Sequence, residues 1–466
     1  LSKREGKWKE DNMKTDLIVA EIGSTTTVVN AFRGLGEHIE FAGQGQFRTT
    51  VAEGDVNIGL KGAVDDLSRK LGEEITWDHF LASSSAAGGL RMTVHGLVHD
   101  MTVKAAKEAA LGAGANIKLI TSGRLRRTDL KKIEDIKPNI ILIAGGVDYG
   151  ERDTAIYNAE LIRGMDLKVP VIYAGNIENR EEIELIFEGT DTELYVVENV
   201  YPRIDELNVE PTRKVIQEVF ERNITHAAGM EEIRKMVDGN IIPTPGAVME
   251  SSIILREELG DLITADIGGA TTDIHSVCED SDEIRNLMMD PEPLSKRTVE
   301  GDLGMYVSRM HTAALLTDRE LKSAGFEDRE NFMEAVEYLN PIPENDEERR
   351  IVSVLAQKAL SVALKRHCGE LIQYFGPSGR KTAARGKDLT AVKSFIGTGG
   401  VLTRIPDKRD IIKKALASGN ETELMPDKNT DIFIDEDYIM ASAGVISLKF
   451  PEEAKILLKK SMRIKD

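Results

Sequence analysis

The chain states one pattern twice: AEIGSTTTVVNAF (20–32) and ADIGGATTDIHSV (265–277). Each copy follows an apolar run, LIVAEIG (17–23) or LITADIGG (262–269), turns through glycine, serine and threonine, and leaves as a second strand, TVVNAF or TDIHSV. Such a segment predicts a β-hairpin with a carboxylate before its bend, Glu21 in one copy and Asp266 in the other. Gly23, Gly268 and Gly269 let the backbone make a tight turn and let a phosphate approach main-chain N–H groups, to which the hydroxyls of Ser24, Thr25, Thr26, Thr271 and Thr272 add donors. Asp266, just before its glycines, is placed to hold a hydrated Mg²⁺ that shields phosphate charge. One glycine hairpin is ordinary turn chemistry. Two in matching context predict two related lobes that clamp a nucleotide tail between them.

A third glycine turn, SFIGTGGVL (394–402), follows the second hairpin, and its Gly397, Gly399 and Gly400 are expected on the adenosine side. The 466 residues, 41% hydrophobic, are enough for several cores. A net charge of −19 repels nucleic acid, and the one basic run, RLRRTDLKK (124–132), is broken by Asp129 and reads as a solvated face. Two cysteines make no disulfide framework, no metal-ligand spacing is present, and no apolar run reaches the ~18 residues of a membrane span. The expectation is a cytoplasmic protein with neither nucleic acid nor membrane as partner. The polar opening, LSKREGKWKEDN, reads as a loose tail before Met13.

Four regions are expected: a first lobe over 13–90, an α/β segment over 91–210, connecting helices over 211–255 and a second lobe over 256–466. In the second region apolar strands alternate with amphipathic helices, which predicts a parallel, doubly wound sheet. Gly145, Gly146, Asp148, Gly175 and Asn176 cluster at its strand ends. They are either a surface for a partner on an inserted module or simple strand-to-helix turns in the remainder of the first lobe. SSSAAGG (83–89) reads as a small-residue strand end. ERRIVSVLAQKALSVALKRHCGELIQYF (348–375) reads as one long helix with His367 and Cys368 packed on it, while His95 and His99 sit in a sequence unsuited to a helical zinc pair.

EIGSTTT, DIGGATTD, GTGG and ASAGVI (441–446), in that order, resemble the phosphate-one, phosphate-two, adenosine and second-connecting motifs of the actin, sugar-kinase and 70-kilodalton heat-shock chaperone superfamily. VEGDLGM (299–305) resembles its GG-x-x-x-D turn, with Gly301 and Asp302 in place on the adenosine side, and PTPGAVMESS (243–252) stands where a first connecting helix belongs. FLASSSAAGGLRMTVHGLVHDMT (80–102), IILIAGGVDYGERDTA (140–155) and ENVYPRIDELNVEPTR (198–213) are similar to the component-L family, accessory ATPases encoded beside adenosylcobalamin-dependent glutamate mutase. The resemblance runs from Thr15 to Leu448.

It implies an α/β protein of two actin-like (ribonuclease-H-like) ATPase lobes with a doubly wound α/β module within the first half. It further implies ATP and Mg²⁺ as cofactors and an adenosylcobalamin-dependent mutase as client, with a maintenance or reactivation role rather than a metabolic conversion. Glu21 and Asp266 are the metal-binding candidates, and these two with Asp273 are the catalytic carboxylates. Two departures bear on rate: Glu21 stands where most relatives have Asp, and Thr244, before Pro245, stands where chaperones carry a water-orienting Glu, so hydrolysis should be slow. The alternatives are a small-molecule kinase of the same fold and an ATP-dependent scaffold or filament, and homo-oligomerisation stays open.

Overall fold

The first hairpin is β1 (Leu17–Ile22) and β2 (Thr26–Arg33), which pair antiparallel with Ile22 opposite Thr27 and Glu21 opposite Val28. In the computed structural model that defines the fold, residues 15–23, 25–50, 55–85, 90–165, 167–224, 230–376 and 379–464 are described. The tail before Met13, Ser24 and the 86–89 part of the small-residue run lie outside them. β2 continues to β3 (Glu40–Arg48), and after α1 (Val56–Leu71) the chain returns as β4 (His79–Ser84), parallel to β1. Every residue of β1 is buried because the strand is covered on both faces. Ile18, Ala20 and Ile22 face Leu60, Ala63 and Leu67 of α1, while Leu17 and Val19 face a core made largely by connecting helices.

The sheet does not close where the sequence next supplies strands. β5 (Arg91–Gly96), α2 (Lys104–Gly112), β6 (Asn116–Ser122), α3 (Arg127–Ile136), β7 (Ile140–Ile143), α4 (Asp153–Arg163), β8 (Val171–Tyr173), α5 (Arg180–Phe187) and β9 (Leu194–Val196) build a separate, wholly parallel sheet of order β6-β5-β7-β8-β9. Two helices, α6 (Glu210–Ile224) and α7 (Met230–Met236), then lead back to β10 (Ile242–Pro243), which completes the first sheet as β10-β4-β1-β2-β3. The module therefore enters between the fourth and fifth strand positions of the first lobe. Its sheet is its own, but Val94, Ala109 and Ile216 share one apolar core with Ile18 and Ala20.

α8 (Thr244–Leu259) crosses to the second lobe, where β11 (Leu262–Ile267), β12 (Thr272–Val277), the short α9 (Asp282–Arg285) and β13 (Ser295–Glu300) repeat the opening. Helices α10 (Arg309–Ala314), α11 (Asp318–Ser323), α12 (Arg329–Glu337) and α13 (Asp346–His367) follow. A ribbon, β14 (Glu370–Gly376) and β15 (Gly379–Arg385), precedes β16 (Ser394–Thr398), α14 (Gly399–Arg404), α15 (Lys408–Leu416) and β17 (Asp431–Ile434). The second sheet has the order β13-β12-β11-β16-β17, the same pattern as the first. α16 (Met440–Ser447) and α17 (Pro451–Ser461) close the chain against the first connecting helix. The long helix expected over 348–375 ends at His367: Gly369 lies where a Cβ would stand 2.6 Å from the Arg385 carbonyl oxygen, and the aromatic, β-branched residues beyond it pair as β14.

α8 and α16 carry the link between lobes. They cross so closely that a Cβ on Gly444 would stand 1.8 Å from the Ala247 carbonyl oxygen, and the Ser251 hydroxyl donates to the Met440 carbonyl at 2.6 Å. Residues of both sheets, Val19 and Phe32 on one side and Leu262 and Ile396 on the other, pack around this crossing.

Candidate active site: two matched turns across a cleft

The two hairpin turns are closed by the same bond. Gly23 N–H donates to the Thr26 carbonyl at 3.0 Å, and Gly268 N–H donates to the Thr271 carbonyl at 3.0 Å. The strand registers also match, since Ile267 lies opposite Thr272 and Asp266 opposite Asp273. A Cβ on Gly269 would stand 3.4 Å from Thr25 Oγ1, so the turns of the two lobes meet. Between them lies a cavity of about 430 Å³, within the usual span of small-molecule sites. Glu21, Gly23, Thr25, Thr26, Thr244, Asp266, Gly268, Gly269, Thr271, Asp273 and Gly400 all line it.

Glu21 is nearly buried, its Oε1 accepting from Ser442 Oγ at 2.6 Å and Asn30 Nδ2 at 3.2 Å. Burial pushes its carboxyl up to about 7, against the pull of the Ser442 hydroxyl and with Asp435 and Asp266 adding to the rise. Burial likewise pushes Asp266 to about 7, helped by Asp273 and opposed by Arg297. Two carboxyls raised chiefly by burial and further by neighbouring carboxylates, Asp435 for both, form a donor set that a hard cation would neutralise. Among the described residues no group of three or more His, Cys, Asp or Glu could hold a metal ion by itself. A Mg²⁺ bound through one or two carboxylates, with phosphate oxygens and water completing its shell, fits such a site.

Other expected residues are differently employed. Asp273 lines the cavity, but its carboxylate is held by buried Arg297 at 2.6 and 3.1 Å and by Thr271 Oγ1 at 2.7 Å, which leaves it an anchor rather than a free base. Thr272 is fully buried and spends its hydroxyl on the Leu303 carbonyl at 2.8 Å, so it does not face the cavity. Gly301 and Asp302 also lie outside the lining. Asp302 is bound bidentately by Arg366 at 2.8 and 2.9 Å, because that arginine projects from the end of α13 toward the turn. Gly397 packs among Leu402, Ile412 and Ile434. Gly399, at φ +85°, sits where a Cβ would stand 2.4 Å from Asp266 Oδ1, so its place is behind the carboxylate rather than in the cavity.

The lining is completed by residues that carry no motif, Leu339, Pro341, Ile342, Val352 and Ile405, beside Val401 of the third glycine turn, with Arg349 and Arg404 also in the lining. The one sequence cue was the loop LNPIP (339–343), an apolar stretch in an acidic neighbourhood. A chain of amides also went unread. Asn30 reaches Gln44 at 2.8 Å, and Gln44 reaches Arg404 of the opposite lobe at 3.0 Å. In the module, Asn176 is fully buried and bonds Tyr149 N and Glu178 N at 3.1 Å, and Asp148 accepts from Ile177 N at 3.0 Å and Asn199 Nδ2 at 2.9 Å. That cluster ties its own loops together, and Asn176 is not a surface residue.

Two lobes of identical strand order, joined by crossing helices and facing each other through matched glycine turns, define an α/β protein of the actin-like fold. Within that fold the chain belongs to the MutL protein family: the family's sequence model matches residues 17–462. Protein MutL of Clostridium tetanomorphum is 34% identical over 465 residues, covering 95% of this chain and 98% of that protein. Among solved structures, acetone carboxylase in a nucleotide-free form aligns with a TM-score of 0.41 at 12% identity, over 93% of this chain and 70% of that one. A glycerol dehydratase reactivase aligns with a TM-score of 0.35 at 11% identity, over 93% and 99%. No helix among the described residues is long and apolar enough to cross a membrane.

Proposed function

We propose that the chain binds Mg-ATP between its two hairpins and uses the resulting lobe movement to maintain an adenosylcobalamin-dependent mutase, with glutamate mutase as the client its family points to. The observation that carries the nucleotide is the pair of turns closed by the same bond, whose Gly23, Thr25, Thr26, Gly268, Gly269 and Thr271 line one cavity together with Glu21 and Asp266. Thr25, Thr26, Gly268, Gly269 and Thr271 would hold phosphates, and Pro341, Ile342, Val401 and Ile405 would receive the nucleoside. Glu21 and Asp266 would hold Mg²⁺, which supplies charge neutralisation at the phosphates. The residues of the chain then divide two tasks: the turns orient the phosphates, and the Ser442 and Asn30 contacts fix Glu21.

Thr244 lines the cavity at the first turn of α8, its hydroxyl 3.2 Å from Ser83 Oγ. A hydroxyl there can position water but cannot accept its proton, which favours slow turnover. Slow turnover suits a protein whose nucleotide state sets a conformation rather than a flux. Titration calorimetry with ATP in the presence and absence of Mg²⁺ tests the site: Mg-dependent binding is expected, and absence of nucleotide binding would refute it.

A further inference from the structure

The ribbon β14–β15 has a base and a free end. At its base Leu371 N–H donates to the Thr422 carbonyl at 2.7 Å, Ala384 N–H to the Leu287 carbonyl at 2.7 Å, and Met289 N–H to the Ala384 carbonyl at 2.9 Å. Beyond those bonds Gln373, Tyr374, Phe375 and the stretch from Gly379 to Thr382 are exposed on both faces. Phe375 is 86% exposed and Tyr374 46%. The register sets Tyr374 opposite Lys381 and Phe375 opposite Arg380. Two strands with no covered face are marginal in water, so a ribbon of this kind gains from a surface to lie on.

Charge says what kind of surface. From Leu371 to Lys387 the sequence holds Arg380, Lys381, Arg385 and Lys387 and no acidic residue, in a chain whose net charge is −19. Neither Arg380 nor Lys381 has an ion-pair partner among the described residues. An aromatic pair flanked by cations has the composition of a protein-docking hot spot. A polyanion such as RNA or a lipid headgroup layer would be repelled by a chain whose net charge is −19.

We infer that the free end of this ribbon is a docking arm for a protein partner that presents an acidic rim around an apolar notch, with Phe375 as the anchor and Arg380 and Lys381 as the steering charges. The partner is the mutase of the accessory reading, on which this inference rests. The arm stands on the second lobe, whose position relative to the first is what nucleotide would change, so the client would be held by a moving part.

The test uses the full-length protein and purified glutamate mutase in sedimentation and surface-binding measurements with ATP, ADP and no nucleotide. Phe375→Ala should weaken binding about tenfold or more, and Arg380→Glu/Lys381→Glu should slow association and flatten its dependence on salt, while nucleotide affinity and melting temperature stay at wild-type values. Equal binding by wild type and variants would overturn the docking arm and leave the accessory reading standing. Failure of the wild type to bind the mutase in any nucleotide state would overturn both. Ribbon-dependent binding to single-stranded RNA or to phosphatidylserine vesicles in place of the mutase would overturn the partner assigned.

Discussion

Glu21 and Asp266 differ by one methylene and by their supports. Glu21 is held through Ser442 and Asn30, whereas Asp266 lies against the Gly399 turn, where only a glycine leaves it room, and opposite Asp273 of the Asp273–Arg297 pair. Asp266→Asn should therefore weaken Mg-ATP affinity about tenfold or more, as loss of a metal-directed carboxylate does, with little change in fold; calorimetry and circular dichroism check this. The titration has a defined sign. Both carboxyls are raised to about 7 from the ~4 of an unfolded chain, so the stability they leave intact in acid is lost as pH rises through about 7. Relative to Asp266→Asn, the wild type without metal should lose melting temperature between about pH 4 and about pH 7 and level off above that, and Mg-ATP should reverse the loss because it binds the charged form. An unchanged difference across that range would show that the carboxyl is not strained by its surroundings.

At the scale of elements, the hairpins were legible because a repeated glycine turn after a buried strand has few other uses, and the matched Gly23 and Gly268 bonds are its physical content. The long helix was legible to His367 and no further, since apolar spacing alone cannot see that Gly369 must pass against the Arg385 backbone. Asp302 and Thr272 lie outside the cavity lining for a related reason: motif resemblance places a residue near a site but does not say which neighbour claims its polar atoms, here Arg366 and the Leu303 carbonyl. The apolar part of the lining, Pro341 and Ile342 from a loop with Val352 and Val401 from helices, was not legible because separate elements supply it through shape, not pattern. The crossing of α8 and α16 gives the sharpest element-scale test. Gly444→Ala would press a methyl onto the Ala247 carbonyl, and overpacking of that kind costs about 1–3 kcal/mol. Thermal or urea unfolding should show the loss, and a neutral substitution would mean the helices can slide apart freely.

Across the whole molecule, one side chain joins the cleft to the module. Arg297 binds Asp273 and also donates through Nη1 to the Leu111 carbonyl at 3.1 Å, at the end of α2. Lys104 and Glu292, 2.8 Å apart, add a second tie between α2 and the second lobe. A change at the second hairpin can therefore reach the module through a buried ion pair. With Thr244 in place of a carboxylate, basal ATP turnover is expected below about 1 per second, under the usual enzyme range, and Thr244→Glu should raise it. The measurement that bears most directly on the account is recovery of inactivated glutamate mutase supplied with free adenosylcobalamin. Recovery should require this protein together with ATP and Mg²⁺, and Asp266→Asn should abolish it, because only a difference in client affinity between nucleotide states can open the enzyme. Equal recovery with ADP, or with no nucleotide, would contradict the account.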